Sequence, residues 1–336
     1  MKKRLLLSLF LIVSVVLAAC GKSEQTNKEA NKDGVTTIYT TVYPLQFLAE
    51  EIGGKYVDVQ SVYPPGANEH TFEPSQKDII EMTDADLLLY IGFNLEGFIN
   101  KSKSIFEQEG VNVVAVGENS VHNHDDTHEN EANAEQTHQE SEHDEEEDHD
   151  HDGHDHDGHD HGDVDPHLWL DPHMMIHMAE EVKKELIASY PEQENYFEKN
   201  FETVTEKLQT LDTEFKQTID ASEKNKIIVS HSAYGYWEKR YGIEQIAVTG
   251  MANSSEPTQK QLQKIMETAK ENDIKYVLFE QNVSSKLTET IQKEIGAKAL
   301  TLHNLSVLTD QDIKNNEDYF SLMEANLATL KTALNE

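Results

Sequence analysis

The stretch "EQENYFEKNFETVTEKLQTLDTEFKQTIDASEKN", Glu192–Asn225, decides how the rest of the chain is read. Phe197, Phe201, Val204, Leu208, Leu211, Phe215 and Ile219 recur at three- and four-residue steps, which is the period of one apolar stripe on a single helix. No Gly or Pro interrupts it, so the spacing predicts one long helix over residues 191–222.

On both sides of this helix, strand-like and helix-like segments alternate. Before it come "VTTIYTTVY" (35–43), a helix over Pro44–Ile52, "YVDVQSVY" (56–63) and a helix in "PSQKDIIEMTDA" (74–85). "DLLLYIG" (86–92), a helix over Leu95–Gln108 and "VNVVAVG" (111–117) continue the series. After it come "KIIVSHS" (226–232), "EQIAVTG" (244–250), a helix over Thr258–Asn272 and "KYVLFEQN" (275–282). A helix over Lys286–Ile295, "KALTLHNL" (298–305) and a helix over Asp318–Leu334 complete the chain. Such alternation predicts parallel α/β structure. The expected fold class is α/β: two (β/α) lobes with parallel sheets, residues 35–190 and 223–336, joined by one long helix. A chain of 336 residues is long enough for each lobe to have a core of its own.

The alternation stops over Glu118–Asp163, where Asp, Glu, His, Asn and Gly dominate and little is available to bury. The segment is expected to be disordered. Its loudest part, "HDHDGHDHDGHDHG", carries His149, His151, His154, His156, His159 and His161. Between His122 and Asp165 lie 19 Asp and Glu and no Lys or Arg, about half of the excess in a chain whose net charge is -35. That balance excludes nucleic acid as a partner and suits a cation. The carboxylates raise local cation concentration and the imidazoles offer transient contacts, so these six histidines form an accessory capture loop for metal.

The N-terminus opens on Met1-Lys-Lys-Arg4 and an apolar run, Leu5–Ala19, too short for an ordinary transmembrane span. Residues 1–19 read as a signal peptide. The run ends in "LAAC", which is similar to the lipobox of bacterial lipoproteins, in which the cysteine sulfur is acylated. Cys20, the only cysteine, is the expected lipidation site, and residues 20–34 a polar tether from the membrane. With that thiol acylated, a metal site must be built from nitrogen and oxygen.

Six histidines lie in ordered sequence: His70, His167, His173, His177, His231 and His303. His231 and His303 end strands, His70 follows one, and so does Glu280. Ligands of open α/β sheets bind at the carboxyl ends of the strands, so these four groups point to a site between the lobes. His167 arrives from the loop side, stiffened by Pro166 and Pro172. Imidazole and carboxylate without sulfur suit Zn²⁺. His173 and His177 share a helix face and read as the polar edge of a helix packed through Met174, Met178 and Val182. Trp169 and Trp237 read as core or cleft wall, and Tyr234 and Tyr236 as a cover for the cleft.

"YPPGANEHTFEPS" (63–75), "DPHLWLDP" (165–172) and "SHSAYGYW" (230–237), in this order, resemble the zinc-type solute-binding lipoproteins of bacterial ABC metal importers. The resemblance covers essentially the whole mature chain, including the lipobox and the acidic histidine loop ahead of "DPHLWLDP". It implies a rigid helix between the lobes and His70, His167 and His231 as ligands of a transported Zn²⁺. It also implies an ABC permease as partner and a lipid-anchored monomer on the extracytoplasmic face of the cell membrane. At the fourth position relatives supply an Asp, a Glu or water; here His303 stands at the usual Asp position and Ser306 where some relatives carry Glu. His303 is the expected fourth ligand, with Glu280 as the alternative or as the hydrogen-bond partner that orients an imidazole.

Manganese-type relatives place a carboxylate where this chain has His231, so three imidazoles favour zinc. A metallohydrolase with Glu280 as base lacks the expected "HExxH" pattern, and no enzymatic activity is expected. A surface metal buffer or adhesin, with the histidine loop as its working part, is the other reading.

Overall fold

The computed structural model describes residues 35–121, 164–251, 257–282 and 286–336. The lipobox, the tether and all six histidines of the capture loop fall outside the described residues, as does the remainder of the acidic stretch from His122. Residues 118–121, expected to be disordered, are ordered: residues 116–121 are helical, Ser120 Oγ donates to the Val116 carbonyl (2.6 Å), and Glu118 accepts from the Phe93 N–H (2.7 Å).

Two four-stranded sheets form, every pairing parallel. In the first, β1 (Thr36–Thr40), β2 (Val57–Ser61), β3 (Leu87–Tyr90) and β4 (Asn112–Ala115) lie in the order β2-β1-β3-β4. In the second, β5 (Lys226–His231), β6 (Glu244–Thr249), β7 (Tyr276–Phe279) and β8 (Lys298–Thr301) lie in the order β6-β5-β7-β8. The two orders are the same, a repeat of topology within one chain. The central strand β3 reads "LLLY" and is buried at all four positions, whereas the edge strand β2, "VDVQS", keeps alternate residues in water. In both sheets the strand order reverses beside the first strand, so the crevice at that switch point is framed by β1 and β3, and by β5 and β7.

In the first lobe, α1 (Tyr43–Gly53), α2 (Gln76–Met82) and α3 (Gly97–Gln108) cover the sheet. Then α4 (Pro172–Ser189) leads through a short 3₁₀ turn at Pro191–Gln193 into α5 (Glu194–Asp220), the long helix. At 27 residues α5 is about 40 Å long. Phe197, Val204, Leu208, Leu211, Phe215 and Ile219 are buried along it, so six of the seven stripe residues bury fully and Phe201 does so in part. The second lobe adds α6 (Gly235–Tyr241), α7 (Gln259–Glu271), α8 (Lys286–Ile295), α9 (Asp310–Asn315) and α10 (Tyr319–Asn335). Helix starts are capped where the sequence offers Ser, Thr or Asp: Ser75, Thr258, Thr309 and Asp318 each form a reciprocal capping box.

The lobes do not have separate cores. One cluster runs from Leu88 of the first sheet through Phe215 of α5 to Val229 of the second and Leu334 of α10. Among the described residues, only the far face of the second sheet has its own cluster, in which Ile228, Val248 and Val277 meet Ile265 and Ile291. Alternation along β5 explains the split, because Ile228 and Val229 face opposite sides of the sheet. The segment Asp165–Pro172 bolts the lobes together. Its Trp169 is fully buried and donates to the Asn304 carbonyl (2.7 Å), and its Leu170 carbonyl accepts from Trp237 Nε1 (2.6 Å). Tyr319 of α10 donates to the Trp169 carbonyl (2.9 Å). The Tyr43 N–H at the start of α1 reaches across to the Ser306 carbonyl (2.8 Å).

Candidate metal centre

His231 is the last residue of β5, and Glu280 follows the end of β7, the strand paired with it. The register matches Val229 with Leu278, so two residues further on His231 stands opposite Glu280, and both side chains leave the same face. His231 Nδ1 lies 2.5 Å from Glu280 Oε1, both buried. With its Nδ1–H donated to the carboxylate, the Nε2 lone pair of His231 points away from the sheet.

His167 is held in the same way. Its Nδ1 and its backbone N–H both contact Asp165 Oδ1, at 2.8 and 3.0 Å. Asp165 is itself seated on the second lobe, where Tyr236 donates to its carbonyl (3.0 Å). A Cβ at Gly235 would come within 2.6 Å of Asp165 Oδ2, so a larger residue there would have to push the carboxylate aside. Tyr236 therefore holds the ligand-bearing segment, and Tyr234 is buried beside it.

His70 sits in the turn after β2. Its N–H donates to the Asn68 side chain (3.0 Å), and Asn282 Nδ2 of the other lobe donates to the Ala67 carbonyl (2.8 Å). The three imidazoles converge: His167 Nε2 lies 3.3 Å from His70 Nε2 and 3.3 Å from His231 Nε2. Tetrahedral zinc with nitrogens at about 2.0–2.1 Å needs them about 3.3–3.4 Å apart. The spacing is that of a ligand set.

The fourth member is Glu69. Its carboxylate and the three imidazoles each offer an atom within 4.8 Å of all the others, the one such group of three or more among the described residues. Glu69 is 2% exposed, its Oε1 lies 3.8 Å from His70 Nε2, and its Oε2 has no hydrogen-bond partner among the described residues. Burial, then the neighbouring Glu280 charge, raises the Glu69 pKa above the usual carboxylate range. Burial would lower His231, but the Glu280 carboxylate outweighs it and the net shift is upward. Three buried or nearly buried carboxylates, Glu69, Glu280 and Asp165, surround three imidazoles; a divalent cation offsets most of that charge.

His303, the expected fourth ligand, is not in this group. Its Nδ1 accepts from the Leu305 N–H (2.9 Å) and its Nε2 donates to Asp312 (3.2 Å), so both ring nitrogens are engaged elsewhere. β8 is the edge strand, one place beyond β7, and after it the His303 ring turns toward Asp312 while its neighbour Asn304 faces the centre. Burial accordingly lowers the His303 pKa. Its backbone is clamped by Asn326, which accepts from the His303 N–H (2.7 Å) and donates to its carbonyl (2.8 Å).

That clamp serves the next residue. Asn304 Nδ2 donates to both Glu69 Oε1 (3.2 Å) and Glu280 Oε2 (2.9 Å), joining the two carboxylates. Its Oδ1 accepts from Ser306 Oγ (2.9 Å) and Gln281 Nε2 (2.9 Å), which sets the amide the right way round. Glu69 and Asn304 escaped the sequence reading. Glu69 had a signal, an acid next to His70; Asn304 had none, since nothing local distinguishes it from a turn asparagine.

A family model described as zinc-uptake complex component A, periplasmic, matches residues 38–333. The chain belongs to this family. Among curated zinc-uptake proteins, it is 32% identical to the high-affinity zinc uptake system protein ZnuA of Bacillus subtilis, over 97% of each chain. It is also 32% identical to the zinc-binding protein AdcA of Streptococcus pyogenes, over 98% of this chain and 61% of that protein. The chain thus spans about three fifths of the AdcA proteins it matches. The crystal structure of the Zn(II)-bound ZnuA-like domain of Streptococcus pneumoniae AdcA superposes with a TM-score of 0.68, at 29% identity, covering 90% of this chain and all of that one. The chain thus shares with this relative the two-lobed α/β fold, and it has the long helix expected from the sequence.

Proposed function

We propose that this protein captures Zn²⁺ between its lobes, through His70, His167 and His231 with Glu69 as the fourth ligand, and delivers it to an ABC permease for uptake. The observation that carries this reading is the convergence of three imidazole Nε2 atoms at 3.3 Å spacings beside a buried carboxylate oxygen lacking a partner. Three nitrogens and one oxygen suit zinc better than manganese, which prefers oxygen ligands. Four protein ligands close the coordination sphere and leave no open position for a catalytic water, so the site binds and does not catalyse. Acylation of Cys20 anchors the protein to the outer face of the cell membrane, and the histidine loop raises the local supply of cation. Relatives named for zinc binding and zinc uptake support the same cargo.

A competition titration against a chelator tests it. The full chain is expected to hold one Zn²⁺ tightly, with weaker ions added by the loop. Deleting residues 122–163 is expected to leave the tight site; its loss on that deletion would support a metal buffer instead.

A further inference from the structure

His173 and His177 have no part in the centre just described, although they follow it closely in sequence. They lie one turn apart on α4, with Nε2 atoms 3.5 Å apart and ring planes at 88°. Four-residue spacing on a helix brings two side chains onto one face. The register of that face is locked, because Met174, Met175, Met178 and Val182 are buried in the common core. Both imidazoles are half-buried on the flank that remains.

We propose that His173 and His177 form a second site for a divalent transition metal of the zinc, nickel or copper class. The two Nε2 atoms serve as a chelate and water completes the coordination. The spacing is close to the 3.3 Å between imidazoles of the main centre and to the roughly 3.3–3.4 Å that tetrahedral zinc requires. Two imidazoles turned Nε2 to Nε2 set lone pair against lone pair unless a proton or a cation stands between them. At 3.5 Å a hydrogen bond is at its limit, whereas a metal at about 2.0–2.1 Å from each nitrogen fits.

The charge around the pair also suits a cation. The helix N-terminus opposes positive charge, but Asp171 caps it, accepting from the His173 N–H at 2.9 Å. Asp212 of α5 lies within electrostatic reach of His173, and Arg240 is shared between Asp212 and Asp171. Arg240 balances Asp212, and burial pushes the Asp171 carboxyl up to about 7, so the surroundings carry up to one negative charge, which grows as pH rises through that value. The ligand class follows from the donors: imidazole nitrogen selects zinc, nickel or copper over calcium or magnesium.

The test uses the full-length protein loaded with one equivalent of Zn²⁺ and then titrated with more. Diethylpyrocarbonate labelling of histidines, read peptide by peptide in a mass spectrometer, separates α4 from the loop. His173 and His177 are expected to lose reactivity together as zinc rises. In His177→Gln, His173 is expected to stay reactive at every zinc concentration, and the reciprocal holds for His173→Gln, with binding of the first equivalent unchanged. Protection of His173 that survives in His177→Gln overturns the proposal. Crystals of the full chain soaked in zinc supply the second reading at the zinc absorption edge. A peak bonded to both Nε2 atoms is expected; no peak there, or one bonded to a single imidazole, also overturns it.

Discussion

His231 and Glu280 face each other across the β5–β7 pair at 2.5 Å, Nδ1 to Oε1, both almost without solvent contact. The carboxylate fixes the tautomer, aims Nε2 into the cluster and raises the basicity of the ring. A Glu280→Gln variant is therefore expected to lose about 10–100-fold in zinc affinity at neutral pH while keeping its fold. Chelator competition and circular dichroism measure the two together.

The same contact sets the pH dependence of zinc binding. Zinc competes with a proton for His231, and Glu280 raises the pKa of that ring above its ordinary 6.5. Affinity is thus expected to fall as pH drops, beginning above 6.5. In Glu280→Gln the onset should move to lower pH even though the affinity at pH 8 is weaker. A titration series across pH reads both; an unmoved onset would mean that Glu280 does not govern the ring.

Glu69 is a buried carboxylate with one oxygen unpartnered, so without metal it costs stability. Glu69→Gln is expected to raise the melting temperature of the metal-free protein and to shrink the further rise produced by zinc. The sign follows from linkage: a folded pKa raised above the ordinary glutamate value of 4.5 means that the native state binds the proton more tightly than the unfolded one. Its stability contribution is full below pH 4.5 and is lost as pH rises through the folded pKa. The variant should show a flatter stability profile over that range.

His303 predicts a contrast. His303→Ala removes the partner of the Leu305 N–H and of Asp312, at a cost of about 1–3 kcal/mol in unfolding free energy. Its effect on zinc affinity should be small beside that of His70→Ala or His231→Ala. A loss equal to theirs would restore His303 as a ligand.

The bolt between the lobes is tested at Trp237. Trp237→Phe leaves the buried Leu170 carbonyl without its donor, at about 1–3 kcal/mol. The common core and the segment around Trp169 also argue against a wide hinge. Small-angle scattering is expected to show nearly equal dimensions with and without zinc.

What could be read in the chain by itself was whatever is written locally. The stripe from Phe197 to Ile219 specified the long helix, and alternation of apolar strands with helices specified the parallel sheets, because both are periods of a few residues. The family motifs led to His70, His167 and His231 for the same reason, each lying in a short, distinctive run. Tertiary structure alone decided what completes the set. Partners 64 and 97 residues apart meet at 3.3 Å only once both sheets are packed on a shared core. His303 and Glu280 both follow the ends of strands and look alike in sequence, but β7 lies next to β5 and β8 lies at the edge. The order of strands is a property of the whole fold, set by how long-range burial is satisfied, and it placed Glu280 at the centre; after β8 the packed chain turns Asn304 toward Glu280 and leaves His303 facing Asp312.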